Sequence, residues 1–186
     1  NGSVRCAASK IVHSNGQFKF IASTTIATNG NATSTTGLYD VKIQGSGITV
    51  TPNEWALSIY RNLVISSGTF DTQGPSGGGT DFEVTVSGEL HSQGTFTSNS
   101  STVTVRNLLI EGGTFNAPDG SGMLNITGEG TSGYGDGYAF RRVSGAFVDN
   151  TGTVTFKTPS TTSIRMGTAA QDFYNVIIDE SSAGGK

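Results

Sequence analysis

Charged residues are scarce in this sequence, and so are cysteine, proline and long apolar runs. Asp, Glu, Lys and Arg make up 13% of the 186 residues, and the formal net charge of −3 provides no basic surface of the kind that binds nucleic acid. No apolar run approaches the ~18 residues of a membrane-spanning helix. The single cysteine, Cys6, excludes an internal disulfide, and we expect it to be a small buried side chain rather than a free thiol or half of an intermolecular bridge. These absences argue against nucleic acid as a partner and against a membrane-spanning segment.

The abundant residues indicate strands and turns. Gly contributes 27 residues, and ten Phe and five Tyr accompany many Val, Ile and Thr. Aromatic and β-branched residues favour strands, whereas frequent Gly favours the turns between them. The length fits one domain. The opening "NGSVRCAASK" has neither an initial Met nor the apolar centre of a signal peptide, which indicates a mature or excised segment.

A three-residue sequence, Gly-Thr-Phe, recurs along the chain. It occupies 68–70, 94–96 and 113–115, and a near copy, Gly-Ala-Phe, follows at 145–147. Each copy precedes a short strand of alternating apolar and polar residues, and residues 84–96 align with 103–115 at a constant offset of 19. Repeats of this length with several short strands are typical of a β-solenoid, whose coils stack ~4.8 Å apart. The predicted fold is all-β, a parallel β-helix of about eight coils with about 20 residues each.

Stacking of coils explains which residue types repeat. We expect the phenylalanine of each copy to fill one interior column, and the preceding glycine to turn a corner with positive φ. A second element places Asn before an aliphatic strand, as in "YRNLVI" (60–65), "VRNLLI" (105–110) and "YNVII" (174–178), with "YDVKI" (39–43) as a fourth copy. Stacked side-chain amides are expected to hydrogen-bond from coil to coil there. The residues assigned to these structural roles are Asn62, Gly68, Phe70, Gly94, Phe96, Asn107, Gly113, Phe115, Gly145, Phe147 and Asn175.

Two insertions interrupt the coils, at 73–81 and 128–142. Insertions of this kind project from one edge of a solenoid, which is often where binding occurs. We expect a single β-solenoid domain over 1–186. Its coils are less regular over 1–59 and clear over 60–178, and 179–186 form a tail or the start of a further coil.

The repeats resemble those of a known class of proteins. "GAFVDNTGTVTF" (145–156), "FYNVII" (173–178) and "TVTVRNLLIEGGTF" (102–115) are similar to repeats of secreted bacterial and archaeal parallel β-helix cell-surface proteins. The resemblance implies an extracellular or cell-surface location and a structural or adhesin-like role. It also implies self-association or contact with neighbouring domains of a larger surface protein, because an uncapped solenoid end invites further strands.

One loop carries the residues most suited to ligand binding. "SGYGDGYAFRR" (132–142) offers aromatic rings as stacking platforms beside polar groups, the combination that sugars require. The same composition fits a Gly-rich excursion whose tyrosine rings cover the solenoid, and both interpretations stay open. The candidate glycan-binding residues are Tyr134, Asp136, Tyr138, Arg141 and Arg142.

The remaining chemistry-bearing residues predict no catalytic, metal or cofactor site. Asp81 and Glu83 lie on one face with Ser100 and Thr102 one coil on, so we expect a solvated pair rather than acid/base partners. His13 and His91 lack ligand-spaced neighbours, and His91 is expected to be a surface residue. Trp55 alternates with the apolar residues of "NEWALSIY", which favours core packing.

Three classes of function follow from these observations. The favoured interpretation is a non-enzymatic structural module; the alternatives are a glycan-binding module or a polysaccharide lyase or hydrolase on the same scaffold. An ice-binding surface requires regular Thr-x-Thr columns, and the pairs at 95–97, 102–104 and 153–155 are too irregular in sequence to predict one.

Overall fold

The structure is a computed structural model that describes residues 2–7, 16–29, 37–75, 80–128, 137–157, 162–167 and 172–179. These residues contain sixteen β-strands, all paired in parallel, and no helix. The strands are β1 (Gly2–Ala7), β2 (Gln17–Phe20), β3 (Thr24–Asn29), β4 (Asp40–Ile43), β5 (Thr49–Pro52), β6 (Leu57–Ile59), β7 (Leu63–Ile65), β8 (Thr69–Asp71), β9 (Val84–Ser92), β10 (Thr95–Thr97), β11 (Thr102–Asn116), β12 (Met123–Ile126), β13 (Phe140–Val148), β14 (Thr153–Lys157), β15 (Ile164–Arg165) and β16 (Asn175–Asp179).

The strands form three faces around one interior. Face A contains β1, β3, β5, β8, β10 and the ends of β11 and β13. Face B contains β6, β12, β14, β16 and the starts of β9 and β11. Face C contains β2, β4, β7, β15, the end of β9, the middle of β11 and the start of β13.

The described part of the chain passes these faces in the order A, B, C and makes about six turns, which confirms the predicted parallel β-solenoid. These described turns are fewer than the expected eight. The connections 72–83 and 127–139 lengthen two of the turns, as the insertions in the sequence predict, but the second insertion ends before the predicted residue 142 because Phe140–Arg142 lie in β13.

Equivalent residues of successive turns lie directly opposite one another. On face A, Phe96 is paired with both Phe70 and Phe115, and Phe115 is paired with Phe147. All four rings are at most 3% exposed. Val84 is paired with Val103 and Phe96 with Phe115, so the offset of 19 seen in the sequence is the register on faces B and A. On face C the offset is 18, as in the pair Leu90 and Leu108, because the register shifts after Val105. Burial of each such phenylalanine contributes about 1.5–3 kcal/mol.

The glycines that precede these phenylalanines serve two different needs. Gly68, Gly113 and Gly145 have φ angles of 82°, 58° and 77°, as predicted for a corner. Gly94 has no positive φ, and a Cβ at this position would lie 2.5 Å from the carbonyl oxygen of Gly68. Glycine is therefore required at Gly94 by the close approach of the preceding turn and not by its own conformation.

A polar column marks the entry to face C, although its bonding differs from the predicted amide ladder. The backbone N–H of Asn62 donates to Asp40 Oδ1 (3.1 Å), and the backbone N–H of Glu89 donates to Asn62 Oδ1 (2.9 Å). Asn107, which is paired with Glu89, is 1% exposed. Side-chain oxygens thus accept from the backbone of the following turn.

Asn175 does not belong to this column. It lies in β16 on face B, is paired with Thr153, and is exposed. The predicted equivalence with Asn62 and Asn107 is wrong, because an apolar alternation after Asn suits a strand of face B as well as one of face C. The copy at 39–43 is placed as predicted, with Val41 paired with Leu63.

Candidate functional site

Tyr138 lies beside two arginines of face C. Arg141 follows it in β13, and Arg165 of β15 is paired with Arg141. The guanidinium carbons of Arg141 and Arg165 lie 5.7 Å and 5.8 Å from the centroid of the Tyr138 ring. A cation at that distance is attracted to the face of the ring. The pairing of β13 with β15 therefore places two positive charges beside one half-buried tyrosine.

The other predicted members of this site are placed differently. Tyr134 and Asp136 lie outside the described residues. Arg142 occupies an interior position paired with Ile110 and is 7% exposed. Its Nε donates to the carbonyl oxygen of Met166 (3.1 Å) and its Nη1 to that of Gly145 (3.2 Å). Arg142 thus links the backbone of two turns, whereas Arg141 is on the outer surface.

A small cavity opens beside these arginines. Its volume is about 170 Å³, and its lining is Arg141, Arg142, Val143, Arg165 and Gly167. Pockets for drug-sized ligands measure about 300–1,000 Å³, so this cavity accommodates a single anionic group and not a whole sugar ring system. The chemistry available here is recognition of a carboxylate or sulfate by guanidinium groups.

A second aromatic and charged cluster, which sequence analysis did not identify as a site, lies where the polar column enters face C. The rings of Tyr39 and Tyr60 stack with centroids 5.6 Å apart, and the Arg61 guanidinium lies 5.0 Å from the Tyr39 centroid. Arg61 forms an ion pair with Asp40, with Nη2 and Oδ2 2.7 Å apart. The hydrogen bond to Asp40 raises the pKa of Arg61. The signal in the sequence was the tyrosine shared by "YDVKI" and "YRNLVI".

Three residues lie in environments that differ from those that the sequence predicts. Trp55 is 50% exposed rather than in the core, because β6 begins only at Leu57 and Glu54, with a φ of 76°, turns the chain before it. His91 is 9% exposed rather than a surface residue, and its Nε2 lies 2.9 Å from Glu111 Oε2. Asp81 Oδ2 accepts a hydrogen bond from the backbone N–H of Ser100 (3.1 Å), so this carboxylate holds the following turn.

An open groove on face B has few groups for catalysis. It measures about 420 Å³ and is lined by Thr85, Val86, Ser87, Thr104, Arg106, Thr127 and Gly128. This lining contains no carboxylate or histidine, the groups that serve most often in general acid–base catalysis. Among the described residues, no three His, Cys, Asp or Glu side chains are grouped so that they could hold a metal ion.

Comparisons with known proteins found no relative. No family model matches the chain, and neither a curated protein nor a solved structure matches it. No helix in the described ranges is long and apolar enough to cross a membrane. What is established is the fold, a parallel β-solenoid of repeated turns.

Proposed function

We propose that this chain is a non-enzymatic extracellular structural module, a surface stalk, adhesin segment or filament subunit, whose turns continue by head-to-tail stacking onto a second copy. Regular stacking of in-register turns supports a mechanical role that requires no chemistry. The resemblance of the repeats to those of secreted β-helix surface proteins supports the extracellular location.

The last described strand provides the observation on which the proposal depends. Val176 and Ile178 of β16 are paired with Val154 and Phe156 of β14. Val154 and Phe156 are 2% and 0% exposed. Val176 and Ile178, by contrast, are 46% and 58% exposed. The interior apolar columns thus run to the surface of the last described turn. Covering each of these two side chains would contribute on the order of 1 kcal/mol.

The direction of the strands determines how a second copy can be added. All described ladders are parallel, and among the described strands β1 is paired with β3 alone and β2 with β4 alone. β15 is likewise paired with β13 alone and β16 with β14 alone, so the first and last described turns each have one side without a described strand partner. Only a head-to-tail arrangement continues the parallel ladders, and such a contact generates an open filament rather than a closed dimer.

Sedimentation velocity at increasing protein concentration, with negative-stain images of the same samples, tests this proposal. Ile178→Lys places a charge in the interior column, whereas Ile177→Lys is the matched control, because Ile177 points away from that column, is paired with Thr155 and is 50% exposed. We expect end-to-end assemblies for the wild type and for Ile177→Lys, and at least a tenfold higher assembly concentration for Ile178→Lys. A wild type that stays monomeric, or equal behaviour of the two variants, contradicts the proposal.

Recognition of an acidic glycan is the second candidate function, and the pairing of Arg141 with Arg165 beside Tyr138 favours it. Two guanidinium groups on neighbouring strands suit a uronate or sulfated sugar, because guanidinium groups bind carboxylate and sulfate through charge-assisted hydrogen bonds. A polysaccharide-degrading enzyme would require acid/base groups beside these arginines.

Titration calorimetry with a uronate oligosaccharide tests the second candidate. We expect Arg141→Gln and Arg165→Gln to weaken binding at least tenfold, and Tyr138→Ala to weaken it less. Arg106→Gln, on a different part of the surface, is the control and should bind as the wild type does. Equal binding by all variants would rule out the site, and cleavage of the oligosaccharide during the titration would favour the enzyme.

A further inference from the structure

Face A presents a regular outer array of threonines. Two outward positions of each strand, separated by one interior residue, form two columns that run across six turns. The first column contains Ser23, Thr49, Thr69, Thr95, Thr114 and Ala146. The second contains Thr25, Thr51, Asp71, Thr97, Asn116 and Val148. Seven of these twelve positions are threonine, and we call them the threonine face.

The interior of the fold keeps the threonine face regular and flat. Successive turns are ~4.8 Å apart, and outward residues two apart along a strand are separated by ~6.8 Å. Beneath the face, the rings of Phe70, Phe96, Phe115 and Phe147 stack with interplanar angles of 16°, 6° and 3°. Neighbouring turns therefore twist little relative to one another, and the hydroxyl groups repeat at nearly constant distances in two directions.

The hydroxyl groups of the four threonines in the first column are available to a ligand, whereas Thr97 Oγ1 in the second column accepts a hydrogen bond from Asn116 Nδ2 (3.4 Å). In the described part of the chain, the side chains of Thr49, Thr69, Thr95 and Thr114 make no hydrogen bond to the protein. The face has one ionisable side chain, Asp71, whose Oδ1 accepts from the backbone N–H of Gln73 (3.0 Å) and from Asn99 Nδ2 (2.7 Å). A ligand of the threonine face should therefore be uncharged and ordered. Its hydrogen-bonding groups should repeat at the same spacing as the threonine hydroxyls.

We propose that the threonine face binds the surface of an ice crystal. The oxygen atoms of hexagonal ice repeat in two perpendicular directions at distances close to the spacing of turns and to the spacing of alternate residues. Methyl groups of threonine order the water between the hydroxyls, and the rigid array needs no rearrangement on binding. A crystalline neutral polysaccharide is disfavoured because none of the twelve positions is aromatic, whereas sugar faces bind to aromatic rings.

The structure also explains why the Thr-x-Thr pairs are irregularly spaced in the sequence. Thr95 and Thr97 belong to face A, but Thr102, Thr104, Thr153 and Thr155 belong to face B. Face B lacks the regularity, because Met123 and Asn125 occupy the positions between those threonines, and Asn125 and Thr155 are buried. Face C carries Lys19, Lys42, Arg141 and Arg165 at outward positions. The threonine face becomes visible only when residues are sorted by face.

Thermal hysteresis and partition of the protein into a growing ice hemisphere test the proposal. Thr95→Tyr places a bulky ring at the centre of the threonine face, and Thr85→Tyr, at a half-buried outward position of face B, is the matched control. Ala146→Thr extends the first column by one hydroxyl. We expect hysteresis and ice incorporation for the wild type, at least a fivefold loss for Thr95→Tyr, no loss for Thr85→Tyr, and a gain for Ala146→Thr.

Circular dichroism and melting temperature must show that all variants are folded. A folded wild type that neither halts ice growth nor enters the ice overturns the proposal, as does an equal loss in the two tyrosine variants. Adsorption to crystalline cellulose or chitin that Thr95→Tyr abolishes, without activity on ice, would also overturn it and assign the face to a polysaccharide lattice. Head-to-tail assembly is independent of these outcomes, because it involves the ends of the solenoid and not face A.

Discussion

Phe96 and Phe115 lie on neighbouring turns with ring centroids 4.9 Å apart and ring planes inclined by only 6°. Both side chains are fully buried, and their backbones are paired in parallel. The contact joins residues that are 19 apart in sequence. It thus represents the unit from which the fold is built, one turn stacked on the next through the same side chain.

Truncation of Phe96 should therefore be strongly destabilising. Phe96→Ala removes a ring that stacks on both Phe70 and Phe115, and we expect a loss of about 3–5 kcal/mol in the free energy of unfolding. Phe96→Leu, which keeps most of the volume, should lose less than half of that. Urea denaturation followed by circular dichroism measures both. A loss below about 1 kcal/mol for Phe96→Ala would mean that the column tolerates a cavity.

Alanine substitutions at two glycines would distinguish the cost of a positive φ from the cost of a steric overlap. Gly68 and Gly47 have similar φ angles of 82° and 71°, but a Cβ on Gly68 would lie 2.6 Å from the carbonyl oxygen of Gly45, whereas a Cβ on Gly47 meets nothing within 4 Å. Gly47→Ala should cost about 1–2 kcal/mol because of its φ alone. Gly68→Ala should cost a further ~1–3 kcal/mol because adjacent turns must move apart. Equal melting temperatures of the two variants would show that the turns yield without cost.

Asp40 should matter more for its hydrogen bond than for its charge. Arg61, the partner in its ion pair, has a side chain that is 51% exposed, so Asp40→Asn should lose about 1 kcal/mol or less. Asp40→Ala also leaves the buried N–H of Asn62 without an acceptor, which adds about 1–3 kcal/mol. Denaturant titration at low and high salt measures both effects. If the two variants lose equal stability, the ion pair is the dominant contact.

The same ion pair predicts no arginine-dependent change in stability around neutral pH. Asp40 raises the pKa of Arg61 in the folded protein. The stabilisation is therefore fully present below the ordinary arginine pKa and is lost only as the pH rises through the raised value. In Arg61→Met the stability should be lower by a constant amount between pH 7 and pH 10. A difference that shrinks over this range would contradict the assignment.

Arg141 and Arg142 should behave oppositely although they are adjacent. Arg142→Met removes donors to two backbone carbonyl oxygens and should lower the free energy of unfolding by about 1–3 kcal/mol. Arg141→Gln, on the outer surface, should change it by no more than about 0.5 kcal/mol. Thermal melts of the two variants, with the wild type as reference, decide between these roles. A stable Arg142→Met variant would show that the interior position tolerates an aliphatic chain.

The sequence predicted those parts of the fold that depend on repetition. Gly-Thr-Phe recurs with the register of face A, so the phenylalanine column and the offset of 19 on faces A and B could be found by alignment alone, whereas the offset of 18 on face C could not. Alternation cannot distinguish one face from another, which is why Asn175 was assigned to the wrong column. Exposure at corners depends on local backbone geometry, as for Trp55 after the positive φ of Glu54.

The candidate sites were less predictable because they join residues of different turns. Tyr138 and Arg141 were identified from one loop, but Arg165 comes from the following turn. Tyr39 and Tyr60 are 21 residues apart and meet only through register. The threonine face required each strand to be assigned to its face before any regularity appeared.

The unequal spacing of the four stacked phenylalanines has a mechanical consequence. Successive rings are separated by 26, 19 and 32 residues along the chain, although each step along the solenoid has the same height. A pulling force applied at one end would detach the turns one after another, since each turn is bonded only to its neighbours. The turn between Phe96 and Phe115 would release roughly 60 Å of extended chain, and the other two would release more. The order of short and long extensions in a force trace would therefore identify the end from which the protein unravels.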